Sequence, residues 1–125
     1  MNGQSQYAFY GSLRRGMSNY EVYKEGLQYL FSARLRGFKI FSMGDYPCAV
    51  ESGNSTDSIV IEIFKIANAN IERDIHDMEL SVGYHFKNIE INHTNVGIYL
   101  YESSKNYPEV PGGDWVEFFR KNSES

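Results

Sequence analysis

The sequence predicts an α+β domain, a small, mostly antiparallel β-barrel with flanking helices. Three observations carry that prediction. Segments dense in β-branched and aromatic residues outnumber helical ones. Strands and helices do not alternate regularly, which disfavours a doubly wound parallel sheet. Two late strand segments are joined only by His93-Thr94-Asn95, a connection short enough for an antiparallel hairpin.

The elements follow in order. Tyr7-Ala8-Phe9-Tyr10 reads as a strand that stops at Gly11, and Gly11-Ser12-Leu13-Arg14-Arg15-Gly16 reads as a tight loop. A weak helical pattern covers Asn19 to Leu30, and Ala33 to Phe41 alternates as a strand. The polar stretch from Ser42 to Ser58 is interrupted by Tyr46-Pro47-Cys48-Ala49-Val50. Ser58 to Ile66 is the clearest strand, rich in β-branched residues. Ala69 to Leu80 carries Ile71, Ile75 and Met78 on one helical face, with Asn68 or Asn70 as N-cap. Strands over Tyr84–Asn92 and Val96–Tyr101 form the hairpin. Asp114 caps a short closing helix, with Glu117 three residues on as in a capping box.

A chain of 125 residues has room for one core, so residues 1–125 are expected to form a single domain with 121–125 as a frayed tail. Twelve basic against sixteen acidic residues give a net charge of −4, a poor match to a phosphate backbone, so nucleic acid is not an expected partner. No apolar run is long enough to span a bilayer. Met1 to Gln6 lacks a basic segment leading into an apolar stretch, so no signal peptide is expected. The single cysteine, Cys48, rules out an internal disulfide framework, and a cytoplasmic setting is expected. Asn54-Ser55-Thr56 and Asn92-His93-Thr94 match a glycosylation triplet, which has meaning only in a secreted chain.

Four groups of residues are candidates for chemistry. His76, His85 and His93 share no spacing that puts two on one helix face, so no metal site is expected. Cys48 lies among Pro47, Ala49 and Val50, with no cation nearby to lower its pKa, which favours a buried thiol over a nucleophile. No Gly-x-Ser-x-Gly elbow occurs. The Gly11–Gly16 loop follows a strand as a phosphate loop does but lacks the Gly-Lys-Ser/Thr ending; its successive N–H groups suit a carboxylate nest, while an ordinary turn with solvated arginines is the commoner form of such a loop. Glu79 stands in the last turn of its helix, where the dipole disfavours a carboxylate, and an apolar pocket would raise its pKa further. A general base near neutral pH needs that tuning. A plain exposed glutamate is the alternative at this level.

The ordered pieces resemble the gamma-glutamylcyclotransferase-like family. Phe9-Tyr10-Gly11-Ser12-Leu13 through Gly16 is similar to its Tyr-Gly-Ser/Thr-Leu signature, Tyr46-Pro47-Cys48-Ala49 to its Tyr-Pro-Ala segment, Asp77-Met78-Glu79 to its acidic helix end, and Gly113-Asp114-Trp115 to its Gly-Asp-Trp. The match departs where Leu80-Ser81-Val82 intervene before Gly83, and where Ile61 precedes the central strand's Glu62 in place of Gly. The resemblance implies a small barrel whose cavity takes a gamma-glutamyl substrate. Tyr10, Gly11, Ser12 and Leu13 would bind that substrate and Glu79 would be the catalytic acid/base, without metal or organic cofactor. The implied reaction releases 5-oxoproline and an amine. A gamma-glutamylamine cyclotransferase acting on gamma-glutamyl-epsilon-lysine is one alternative, and a non-catalytic module binding a small carboxylate is the other. Tyr46, Tyr84, Tyr99, Tyr101 and Trp115 are candidates for the pocket wall. The stretches 42–58 and 103–111 are long enough to close over it.

Overall fold

The computed structural model describes residues 5–123; the polar residues 1–4, part of the segment judged for a signal peptide, and residues 124–125 lie outside it. The elements are β1 (Ser5–Phe9), α1 (Ser18–Tyr23), β2 (Leu27–Arg36), β3 (Phe38–Ser42), β4 (Pro47–Glu51), β5 (Ser58–Ile66), α2 (Ala69–Ser81), β6 (His85–Ile91), β7 (Thr94–Leu100) and α3 (Trp115–Ser123). Among the described residues, no helix is long and apolar enough to cross a membrane.

The hydrophobic run of β5 has its explanation in its place. It lies inside a five-stranded sheet of order β2-β5-β1-β7-β6 and is covered on both faces. Ile59, Ile61 and Ile63 point to one core with Ala8, Tyr10, Val96, Ile98 and Trp115. Phe64 and Ile66 point to a second core with Tyr7, Phe9, Ile75, Tyr84 and Tyr99. Alternation along β1 thus sends Ala8 and Tyr10 one way and Tyr7 and Phe9 the other. The second core takes the apolar face of α2, on which Ile75 is fully buried.

The α+β class and its flanking helices stand. The sheet does not close into a barrel, however: β2 and β6 remain its edges, and the separate β3–β4 ladder packs on β5 and β7 without extending it. One pairing is parallel, β1 with β7 at Tyr7 and Gly97. The other pairings are antiparallel, including the predicted β6–β7 hairpin. Its turn is Asn92-His93, both at positive φ as a two-residue hairpin turn requires.

Two elements differ from the sequence prediction. The helix expected over Asn19–Leu30 stops at Tyr23; a 3₁₀ turn follows, and Leu27 begins a strand. Pairing with β5 over the whole length of β2 overrides weak helical periodicity there. The strand expected over Ala33–Phe41 is broken at Gly37, whose φ of +87° turns the chain from the large sheet into the small one. The helix of residues 69–81 is capped as predicted, with Asn68 Oδ1 accepting from the N–H groups of Asn70 and Ile71. Asp114 caps α3 through its side chain, accepting from Glu117 N–H, and the helix continues through residues 121–123. The stretch 103–111 is tied to β3 by Ser42 N–H to Pro108 O and Val110 N–H to Ile40 O, each 2.8 Å.

A buried ion cluster joins three of these parts. Arg14 Nε donates to Glu62 Oε2 at 3.0 Å and Arg14 Nη1 to Asp114 Oδ1 at 2.9 Å, while Arg15 donates to Glu62 Oε1 from both its backbone N–H and its Nε. Glu62 is 4% exposed and Arg14 8%. Removing one member of such a buried pair strands the other's charge. Arg14 keeps Asp114, so Glu62→Gln is expected at the low end of that penalty. We predict a loss of about 3 kcal/mol of unfolding free energy, read as a lower urea midpoint at unchanged m-value.

Candidate active site

The chain leaves the buried strand β1 at Tyr10 and must turn at once. Arg14 N–H closes that turn on Gly11 O at 2.9 Å, and Tyr20 N–H holds Ser12 O at 3.0 Å, fastening the loop to α1. Asn19 Nδ2 donates to Ser12 Oγ at 2.7 Å and fixes the hydroxyl. Gly11 lies hard against Pro47: a Cβ there would stand 2.5 Å from the Pro47 ring. Among the described residues, the N–H groups of Ser12 and Leu13 have no backbone acceptor. They are donors left over for a ligand, as in the nests that bind carboxylates.

The arginines of this loop serve otherwise. An ordinary turn would leave them solvated. Arg14 is buried in the ion cluster, and Arg15 lies with its guanidinium 3.6 Å from the centre of the Tyr29 ring. Leu13 points its side chain into the core beside Phe9 and Phe64. Any contact from this loop to a ligand would come from backbone N–H groups and Ser12.

Glu79 reaches the same place from the end of α2. Leu80-Ser81-Val82 complete the helix, and Gly83, at φ +104°, lets the chain reverse so that both Val82 and Tyr84 donate to the carbonyl of Glu79. The departure from the family pattern after Glu79 is therefore an added piece of helical turn with the glycine moved to its end. Ala8, Phe9, Tyr10, Gly11, Ser12, Leu13, Pro47, Glu79, Tyr84 and Tyr99 line one cavity, with ≈ 330 Å³ of empty space including its mouth. The structure thus brings Glu79 together with Tyr10, Gly11, Ser12 and Leu13.

Four tyrosines surround the carboxylate, and their hydroxyls are engaged elsewhere. Tyr10 donates to Tyr99 O at 2.6 Å and accepts from Ala49 N–H. Tyr84 donates to Pro47 O, Tyr101 to Val82 O at 2.7 Å, and the Tyr99 hydroxyl pairs with His76 Nδ1 at 2.9 Å. Burial first, and the charge of Glu79 among further causes, holds all four phenols protonated above their usual range. Burial alone pushes the Glu79 carboxyl up to about 7. Among the described residues no cation or donor offsets it, so desolvation is the lever, as the apolar pocket expected from the sequence implies.

Of the other wall candidates, Tyr84 and Tyr99 line this cavity, and Tyr46 lines an adjoining chamber. Tyr101 stands behind Val82, and Trp115 is fully buried against Phe118 and Phe119. Cys48 is fully buried, and burial pushes its thiol up to about 11. Among the described residues, no three His, Cys, Asp or Glu side chains are grouped as metal ligands. Asn19 and Pro47 are site residues that sequence reasoning did not single out; Pro47 had a signal in the Tyr-Pro segment, and Asn19 had none.

The profile of the family described as gamma-glutamyl cyclotransferase, AIG2-like, matches residues 7–117. No curated protein matches the chain. Among solved structures, the fold is similar to the uncharacterized protein PH0828 of Pyrococcus horikoshii (19% identity, 96% of this chain and 97% of that one, TM-score 0.80). It is also similar to ytfP of Escherichia coli (24% identity, 90% and 96%, TM-score 0.67). An AIG2-like protein of Mus musculus shares it more distantly (15% identity, 88% and 82%, TM-score 0.61).

A carboxyl raised by folding has a definite pH signature. Its contribution is fully present below its ordinary value of 4.5 and is lost as pH rises through about 7, because the unfolded chain releases the proton first. Relative to Glu79→Gln, the wild type should lose about 1–3 kcal/mol of stability between pH 4.5 and 8, allowing for partial solvent access. Paired thermal melts at the two pH values measure it.

Proposed function

Because the chain belongs to the gamma-glutamyl cyclotransferase, AIG2-like family, we propose that it is a gamma-glutamyl cyclotransferase with Glu79 as its acid/base. The observation that carries this reading is the shared cavity, in which an unpartnered, partly buried carboxylate faces a loop with unused N–H donors.

The substrate's alpha-carboxylate would sit on the N–H groups of Ser12 and Leu13, with the Ser12 hydroxyl beside it. Its alpha-ammonium would then lie toward Glu79, the only carboxylate among the described residues that line the cavity. Ionised Glu79 takes a proton from the ammonium, and the freed amine attacks the gamma-carbonyl carbon of the same molecule. A new C–N bond closes the five-membered ring. The attacking nitrogen gives up a second proton as the tetrahedral adduct forms. The leaving nitrogen gains two and departs as an ammonium when its bond to carbon breaks, Glu79 carrying protons between the two. Products are 5-oxoproline and the amine, with no net change in protons. Both reacting groups belong to one molecule, so the protein's main task is to hold it folded.

The four engaged phenols support this assignment of roles. With the hydroxyls committed to backbone carbonyls and His76, Tyr10, Tyr84 and Tyr99 wall the cavity, Tyr101 is held on Val82 behind it, and Glu79 is left as its proton carrier. A pKa of about 7 suits a group that must both accept and return a proton near neutral pH. The reaction needs no metal or organic cofactor, and we place it in the cytoplasm, where the unpaired Cys48 fits a reducing setting.

The test is 5-oxoproline release from gamma-glutamyl compounds by wild type and Glu79→Gln. Loss of the acid/base should lower kcat by about 10²–10⁴-fold with the fold intact by circular dichroism. In the wild type, kcat/KM should rise with pH through about 7 as Glu79 ionises. Ligand bound equally by both proteins, with turnover by neither, would instead make the chain a carboxylate-binding module.

A further inference from the structure

A second chamber, with ≈ 530 Å³ of empty space including its open mouth, adjoins the first at Glu79. Ser12, Glu79 and Tyr84 line both chambers, so the two meet at the carboxylate. The remaining wall of the outer one is Asn19, Met43, Tyr46, Met78 and Val82. Tyr46 and Val82 are 47% and 56% exposed, although both are large hydrophobic residues. Together with the two methionines they form a patch at the mouth whose exposure no packing requirement of the fold explains. Methionine adapts its shape to varied apolar partners.

The polar side of this chamber is equally informative. Asn19 is committed to Ser12, and among the described residues no Lys or Arg lines the space. Glu79 is the only acidic group among the described residues lining it; Asp45, next to Tyr46, lines a different groove with Gly16 and Arg120. A leaving amino acid would bring a carboxylate here with no cation to meet it. A lysine joined through its side chain would bring both a carboxylate and an ammonium. Either charge would lose water without gaining a partner, which is costly.

We propose that the outer chamber holds the amine side of the substrate and selects gamma-glutamyl amides of apolar amines, alkyl or arylalkyl. It would do so over gamma-glutamyl amino acids and over the lysine side-chain isopeptide. The inference rests on the cyclotransferase reading: the inner chamber takes the glutamyl end, and the bond to be cut lies at Glu79, between the chambers.

The experiment compares kcat/KM for 5-oxoproline release from gamma-glutamyl-phenethylamide, gamma-glutamyl-isoamylamide, gamma-glutamyl-alanine and gamma-glutamyl-epsilon-lysine. Wild type should favour both apolar amides by about tenfold or more, the scale on which apolar pockets discriminate. Tyr46→Ser should shrink that ratio, mainly through KM. Val82→Lys, at an exposed position that tolerates the change, supplies the missing cation and should shift preference toward gamma-glutamyl-alanine. Turnover that is indifferent to the leaving group, or better with either charged one, overturns this inference and leaves the cyclotransferase reading standing. Absence of 5-oxoproline from every member overturns both.

Discussion

The interaction on which the site depends is the buried pairing of Arg14 with Glu62. It ties the first loop to β5, and the second bond of the guanidinium, to Asp114, reaches the start of α3. Asp114 then has two tasks, since it also caps that helix. Burial pushes its carboxyl up, but the bond from Arg14 and the N–H of Glu117 outweigh this and hold it below its ordinary value. The pairing also directs both arginines of the loop away from the cavity. A loop that looks electropositive in sequence therefore meets its ligand through peptide groups. Peptide N–H groups are directional and neutral, so they grip a carboxylate without acting as counter-charge to Glu79 across the cavity.

That separation matters because the acid/base depends on having no partner. A guanidinium beside Glu79 would hold it ionised well into the acid range. It would still be a base, but a weak one, and a poor donor to a departing amine. Burial among phenols whose hydroxyls are already engaged produces the opposite result. The cost of an unpaired carboxylate is carried by the two cores on either side of the sheet.

Much of this was legible in the residues, and the failures have physical causes. The β-branched run of β5, the apolar face and Asn68 cap of α2, and the β6–β7 hairpin depend on local periodicity and short-range capping. Sequence displays those directly. Leu27 to Leu30 failed because pairing with β5, more than thirty residues away, decides their state. Glu62 was visible as a polar residue in a buried strand, but its partners, Arg14 and Arg15, lie 48 and 47 positions before it, beyond any local pattern. The inner site was legible through ordered motifs. The outer chamber was not, since Asn19, Met43, Met78 and Val82 come from three separate regions and carry no signature.

The position of β1 has a consequence for how the molecule comes into being. The strand that leads into the substrate loop is central, with β5 on one side and β7 on the other. Its neighbours are made long after it, and the parallel partner, β7, comes ninety residues later. During synthesis β1 and its glycine loop must wait beside no finished edge while the rest of the chain emerges. Such distant pairings close slowly. The pocket is therefore among the last parts of the protein to exist, and a chain cut short before Thr94 would lack the strand that completes it.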